Sequence, residues 1–131
     1  MSSMKATGFF RTLCAALLIG NSADATVSDN AQLVEFATCA GRLSAQMEYQ
    51  WMFDGPLSEQ TEIERAAMID LVNAIMQPDE GRAVLHWRIS AKQAQSALLT
   101  RATFNNDAAD AAWAARMAAQ LARECTALIL H

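Results

Sequence analysis

The sequence predicts an all-α fold, an antiparallel up-down four-helix bundle with one disulfide, set behind an N-terminal signal peptide. Three observations carry that prediction. Four stretches repeat apolar residues at helical spacing and are separated by Asp-Gly-Pro, Gln-Pro and Asn-Asn-Asp breaks. Much of the 53% hydrophobic content is alanine, the best helix former, and β-branched residues are few. Finally, two cysteines, Cys39 and Cys125, remain once the first 25 residues are set aside.

Residues 1–25 have the three parts of an export signal. Lys5 and Arg11 supply positive charge, Leu13–Gly20 is a short apolar core, and Ala23-Asp24-Ala25 is a small-x-small cleavage pattern. Cleavage is expected after Ala25, leaving 26–131 as the helical domain. The apolar core is far shorter than the roughly 20 residues that span a bilayer. Cys14 lies at the front of this core, where a lipid-modified cysteine would follow it. The mature part carries 8 basic and 13 acidic side chains. That acidic balance argues against a nucleic-acid binder and against a polybasic membrane-surface segment.

The first helix is expected from about Asp29 to Phe53, with Ser28, Asp29 and Asn30 as available caps and Leu33, Phe36, Ala40, Leu43 and Met47 as its apolar stripe. Asp54-Gly55-Pro56 stops it. A second helix is expected from Ser58, as cap, to Met76, with an inward face of Ile63, Ala67, Met68, Leu71, Val72 and Ile75. Pro78, Asp79 and Glu80 suit the first turn of a third, running to about Phe104 with Val84, Trp87, Ala91, Ala94 and Leu98 inward. His86, Ser90, Gln93 and Arg101 form its solvated side. Asp107 caps a fourth, Ala108 to Leu130, in which Trp113, Met117, Leu121, Cys125 and Leu128 recur every three or four positions.

Short turns between long helices make antiparallel neighbours. The first helix then starts beside the end of the fourth, within reach of a Cys39–Cys125 bridge in an exported, oxidised domain. A loop of that length gives up to about 4.5 kcal/mol of stabilisation by chain entropy. Ala37, Gly41 and Ala45 form a smooth strip on the first helix. It is expected either to take close contact from the alanine-rich fourth helix or to serve as a helix-docking strip for a partner.

The sequence holds no Cys-x-x-Cys-His haem motif, no Glu-x-x-His pair, no glycine-rich phosphate loop and no His-Glu-x-x-His. No catalytic residue, metal ligand set or cofactor is therefore assigned; the two histidines, His86 and His131, are read as solvated. Core filling is the expected use of Met47 and Met117. The most suggestive feature is aromatic. The topology gathers Tyr49, Trp51, Phe53, Phe104 and Trp113 at the pole opposite the cysteines, with Arg101, Glu48 and Asp54 beside them. These form either a packed end of the core or an apolar site for a ligand or partner.

The expected function is accordingly a non-catalytic periplasmic or secreted binding or accessory protein, acting on another periplasmic protein as a complex subunit, chaperone or inhibitor. A carrier of a small apolar ligand or non-covalent cofactor is the alternative, and an enzyme ranks last. No nucleic-acid partner and no transmembrane anchor after cleavage are expected.

Overall fold

The computed structural model describes residues 23–129, with side chains from 31 onward. The signal sequence assigned to 1–25 thus falls almost wholly outside the described residues. Four helices account for the described chain, and no strand occurs among these residues: α1 (Ala23–Gln50), α2 (Gly55–Ile75), α3 (Gly81–Phe104) and α4 (Ala108–Ile129).

The boundaries follow from capping chemistry and differ from the expected ones at both ends of α1 and at the starts of α2 and α3. Helix α1 already begins at Ala23, six residues before Asp29, and ends at Gln50; 51–53 form a turn. The cap of α2 is Asp54, not Ser58. Its carboxylate accepts the Leu57 amide at 3.1 Å, with Pro56 in the first turn, where a missing N–H costs nothing. Ser58 lies inside the helix and donates its hydroxyl to the Gly55 carbonyl. Pro78 and Asp79 belong to a turn ahead of α3 rather than to its first turn. There the Glu80 carboxylate reaches back to accept the Gln77 amide at 2.8 Å. Asp107 caps α4 as expected, accepting the amides of Ala109 and Asp110.

Helix α1 is the hub, and this is where the packing departs from a square bundle. It contacts all three other helices, whereas no Cα of α2 lies within 8 Å of a Cα of α3. Against α2, Leu33 and Ala37 pack with Val72, Ala40 and Leu43 with Met68, and Ser44 accepts a hydrogen bond from Arg65 Nε at 2.7 Å. Against α4, Cys39 is bonded to Cys125, with a Cα–Cα distance of 5.2 Å. Both cysteines are buried beside Ala40, Leu43 and Met68. Against α3, Ala37 packs with Val84 and Ala45 with Leu99.

Gly41 explains why α3 sits so close. A Cβ built there would lie 2.2 Å from the Arg88 carbonyl oxygen and 3.1 Å from the Ala91 Cβ. The strip Ala37–Gly41–Ala45 is therefore occupied within the fold, and its main neighbour is α3; only Ala45, which packs with Ala118, also meets α4.

Two inward assignments are corrected. Ile63 is exposed; Met68 and Val72 of the expected face are buried, and Ser58 and Thr61 join them. Ala94 is also exposed, and its neighbour Gln95 is buried. The Gln95 amide nitrogen donates to the Ala118 carbonyl at 3.0 Å and to Gln46 Oε1 at 3.3 Å, tying α3 to α4 and α1.

Candidate functional site

The turn after α1, the start of α2, the end of α3 and the start of α4 bring large apolar side chains to one pole. Trp51, Met52, Phe53, Leu57, Phe104 and Trp113 are between 44% and 69% exposed. They are neither a packed end of the core nor the lining of an enclosed cavity. Tyr49 alone of the expected aromatic set is half-buried. Its ring lies 4.8 Å from that of Phe53, and its hydroxyl is 2.8 Å from the Thr103 hydroxyl, which fastens the end of α1 to α3.

The polar neighbours are occupied by structural work. Arg101 pairs bidentately with Asp110 and lies over the Trp113 ring, 5.1 Å from its centroid. The Asp110 hydrogen bond raises the Arg101 pKa further, and the Arg101 hydrogen bond in turn holds the Asp110 carboxyl below its ordinary range. Asn105 Nδ2 donates to the same carboxylate. Asp54 caps α2, and Glu48 pairs with Lys92 at 2.5 Å. This pole therefore presents exposed apolar side chains whose named polar neighbours are already hydrogen-bonded or ion-paired.

Among the described residues, no three His, Cys, Asp or Glu side chains converge as a metal site. His86 is exposed on α3, and His131 lies outside the described residues. No described helix is long and apolar enough to cross a membrane.

No family model, curated protein or solved structure matches the chain.

A second feature escaped the sequence reading. Because α2 and α3 stand apart, the α1 face between them is open as a groove of about 190 Å³, lined by Gly41, Ser44, Met47 and Glu48 from α1, Arg65 from α2, and Leu85, Arg88, Ile89 and Lys92 from α3. Toward the pole it adjoins a depression of about 290 Å³ between α1 and α3, lined by Tyr49, Met52, Ser96, Leu99 and Thr100; Glu48 borders both. The signal was present in part. Leu85 and Ile89 are apolar but sit off the Val84, Trp87 and Ala91 face, so a helix with one core stripe leaves them exposed. That the backbones of α2 and α3 would keep more than 8 Å apart is a fact of tertiary packing and leaves no mark on either helix.

Proposed function

We propose that the protein is a non-catalytic periplasmic or secreted accessory module that binds a partner protein through its apolar pole. The observation that carries this reading is the exposure of Trp51, Met52, Phe53, Leu57, Phe104 and Trp113 at one end of an otherwise well-filled helical fold. Several large apolar side chains exposed at one pole are the composition of an interaction site, and Trp and Tyr are the side chains that anchor protein interfaces. A protein partner suits the surroundings better than an anionic bilayer. Near the pole Asp54, Asp107 and Asp110 outnumber Arg101. The buried Cys39–Cys125 bridge suits an oxidising compartment, as does the export signal read at 1–25.

The test is capture from a periplasmic extract by the oxidised protein, compared with a W51S/F53S/F104S variant. A partner retained by the native protein and lost by the variant supports the reading. Equal capture by both, or no capture together with turnover of a small molecule, overturns it. Carriage of an apolar ligand is separated by native mass and an absorbance spectrum, where extra mass or a chromophore would favour the carrier. The outward projection of the aromatic side chains weighs against it, since a carrier's aromatic groups line a cavity.

A further inference from the structure

We propose that the groove along the α1–α3 seam docks an acidic amphipathic helix of a partner protein. This surface meets the aromatic pole at Tyr49 and Met52 but holds none of its Trp or Phe side chains and rests on none of them. Its shape comes first. On α3, Leu85, Ile89, Lys92, Ser96 and Thr100 follow one another at spacings of three or four, so they form one stripe along the helix. From Leu85 to Thr100, fifteen steps of the helical rise give a track about 22 Å long, the length of a four-turn helix. The α1 side of the track supplies Gly41, Ser44, Met47, Glu48 and Met52.

The chemistry is amphipathic. Leu85 is 54% exposed and Ile89 47%, one turn apart on the same stripe, which is the arrangement that receives apolar anchors at i and i+3 or i+4. The charge is opposite to that of the chain as a whole. Three of its ten basic side chains, Arg65, Arg88 and Lys92, line the groove, against one of its fourteen acidic ones, Glu48. Glu48 is already matched by Lys92. Neither Arg65 nor Arg88 has a carboxylate within ion-pair distance among the described residues. Arg65 spends Nε on Ser44, and a guanidinium has five N–H donors in all. Two guanidinium groups without carboxylates, flanking exposed leucine and isoleucine, complement an apolar helix face bordered by Glu or Asp. Such pairing sets register and on-rate as well as affinity.

The experiment titrates the oxidised protein into a labelled 16-residue peptide with leucines at helical spacing and glutamates flanking them. A second peptide carries lysine at every glutamate position. Fluorescence anisotropy and amide shifts are read at low and high salt. The acidic peptide is expected to bind at least tenfold more tightly than the basic one, to weaken with salt, and to shift amides of residues 85–100. Arg88→Glu and Leu85→Asp, both at positions with solvent access, are each expected to lose at least tenfold while keeping the native circular dichroism. The W51S/F53S/F104S variant is expected to bind like the native protein, so failure here and failure at the pole remain distinguishable. No binding, equal binding of the lysine peptide, or shifts confined to the pole overturns the proposal. So does a concentration-dependent dimer that Leu85→Asp abolishes, which would make the occupant a second copy of this chain.

Discussion

Gly41 is the residue on which the α1–α3 contact turns. Replacing it by alanine should gain up to about 1 kcal/mol of helix propensity. The added Cβ, however, would meet the Arg88 carbonyl at 2.2 Å, a backbone atom that cannot swing away. Overpacking of this kind costs about 1–3 kcal/mol. Gly41→Ala is therefore expected to lower the denaturation midpoint despite its better propensity, whereas a midpoint equal to or above native would show that α3 does not approach so closely. The smooth strip was legible from its spacing, but its neighbour was not. Periodicity tells which residues share a face and says nothing about which helix covers it. Gln95 shows a different limit. A hydropathy reading prefers Ala94 inside, yet the long amide of Gln95 reaches the Ala118 carbonyl and so can be buried. Its Oε1 remains without a partner, a local cost that the sequence gives no reason to expect.

At the scale of elements, the helix ends carry both the fold and the candidate surface. Asp54 and Asp107 are short acceptors at N-caps, the chemistry that opening backbone amides require, and both were visible among the turn residues. Asp54-Gly55-Pro56 reads as the stop of α1 and Ser58 as the cap of α2, which places the start of α2 too late, because Pro56 can lie inside a first turn. The start of α4 is further locked to α3 by Arg101 and Asp110, with Trp113 beneath the guanidinium. The folded-state pKa of Asp110 lies below its unfolded value, chiefly through the Arg101 hydrogen bond. Its contribution is therefore complete above an ordinary carboxylate pKa of about 4 and is lost as pH falls through the lowered folded value. On acidification below about pH 4, the fluorescence of Trp113 should change as Arg101 is released. Asp110→Asn should show the released signal already at neutral pH and remove that acid transition. A transition that persisted unchanged in Asp110→Asn would assign it to another group.

Across the whole molecule, α1 carries the main packing of α2 and α3, while α4 packs chiefly on α3 and is bonded to α1 through the disulfide. The apolar stripe of α1 from Leu33 to Met47, legible at helical spacing, is buried except for the half-buried Phe36, and α1 carries Cys39. Helices α2 and α3 share the buried cluster of Leu33, Ala37, Val72 and Val84, yet none of their Cα atoms come within 8 Å, and the groove lies over α1 between them. The bridge closes a sequence separation of 86 residues, so chain entropy gives an upper limit of about 4.5 kcal/mol for its contribution. A domain of this size is stable by about 5–15 kcal/mol in total. C39A/C125A should accordingly unfold at a markedly lower temperature, with loss of at least 2 kcal/mol. A loss under 0.5 kcal/mol would show that the two helices are held by packing alone. Both cysteines are buried, so a mild reductant should leave the native bridge intact and cleave it only on unfolding.

The pole provides the most direct test, because the exposed Trp51 stands on it and phenylalanine at 87 keeps an aromatic ring against the core. In a W87F/W113F variant, Trp51 is the only indole left, at a side chain 60% exposed. Its emission should lie far to the red and be readily quenched by acrylamide in the free protein. It should then move to the blue and become shielded when the partner captured from extract is added back. An indole already shielded in the free protein, or one whose emission and quenching stay the same in the complex, would contradict the assignment of this pole as the binding surface.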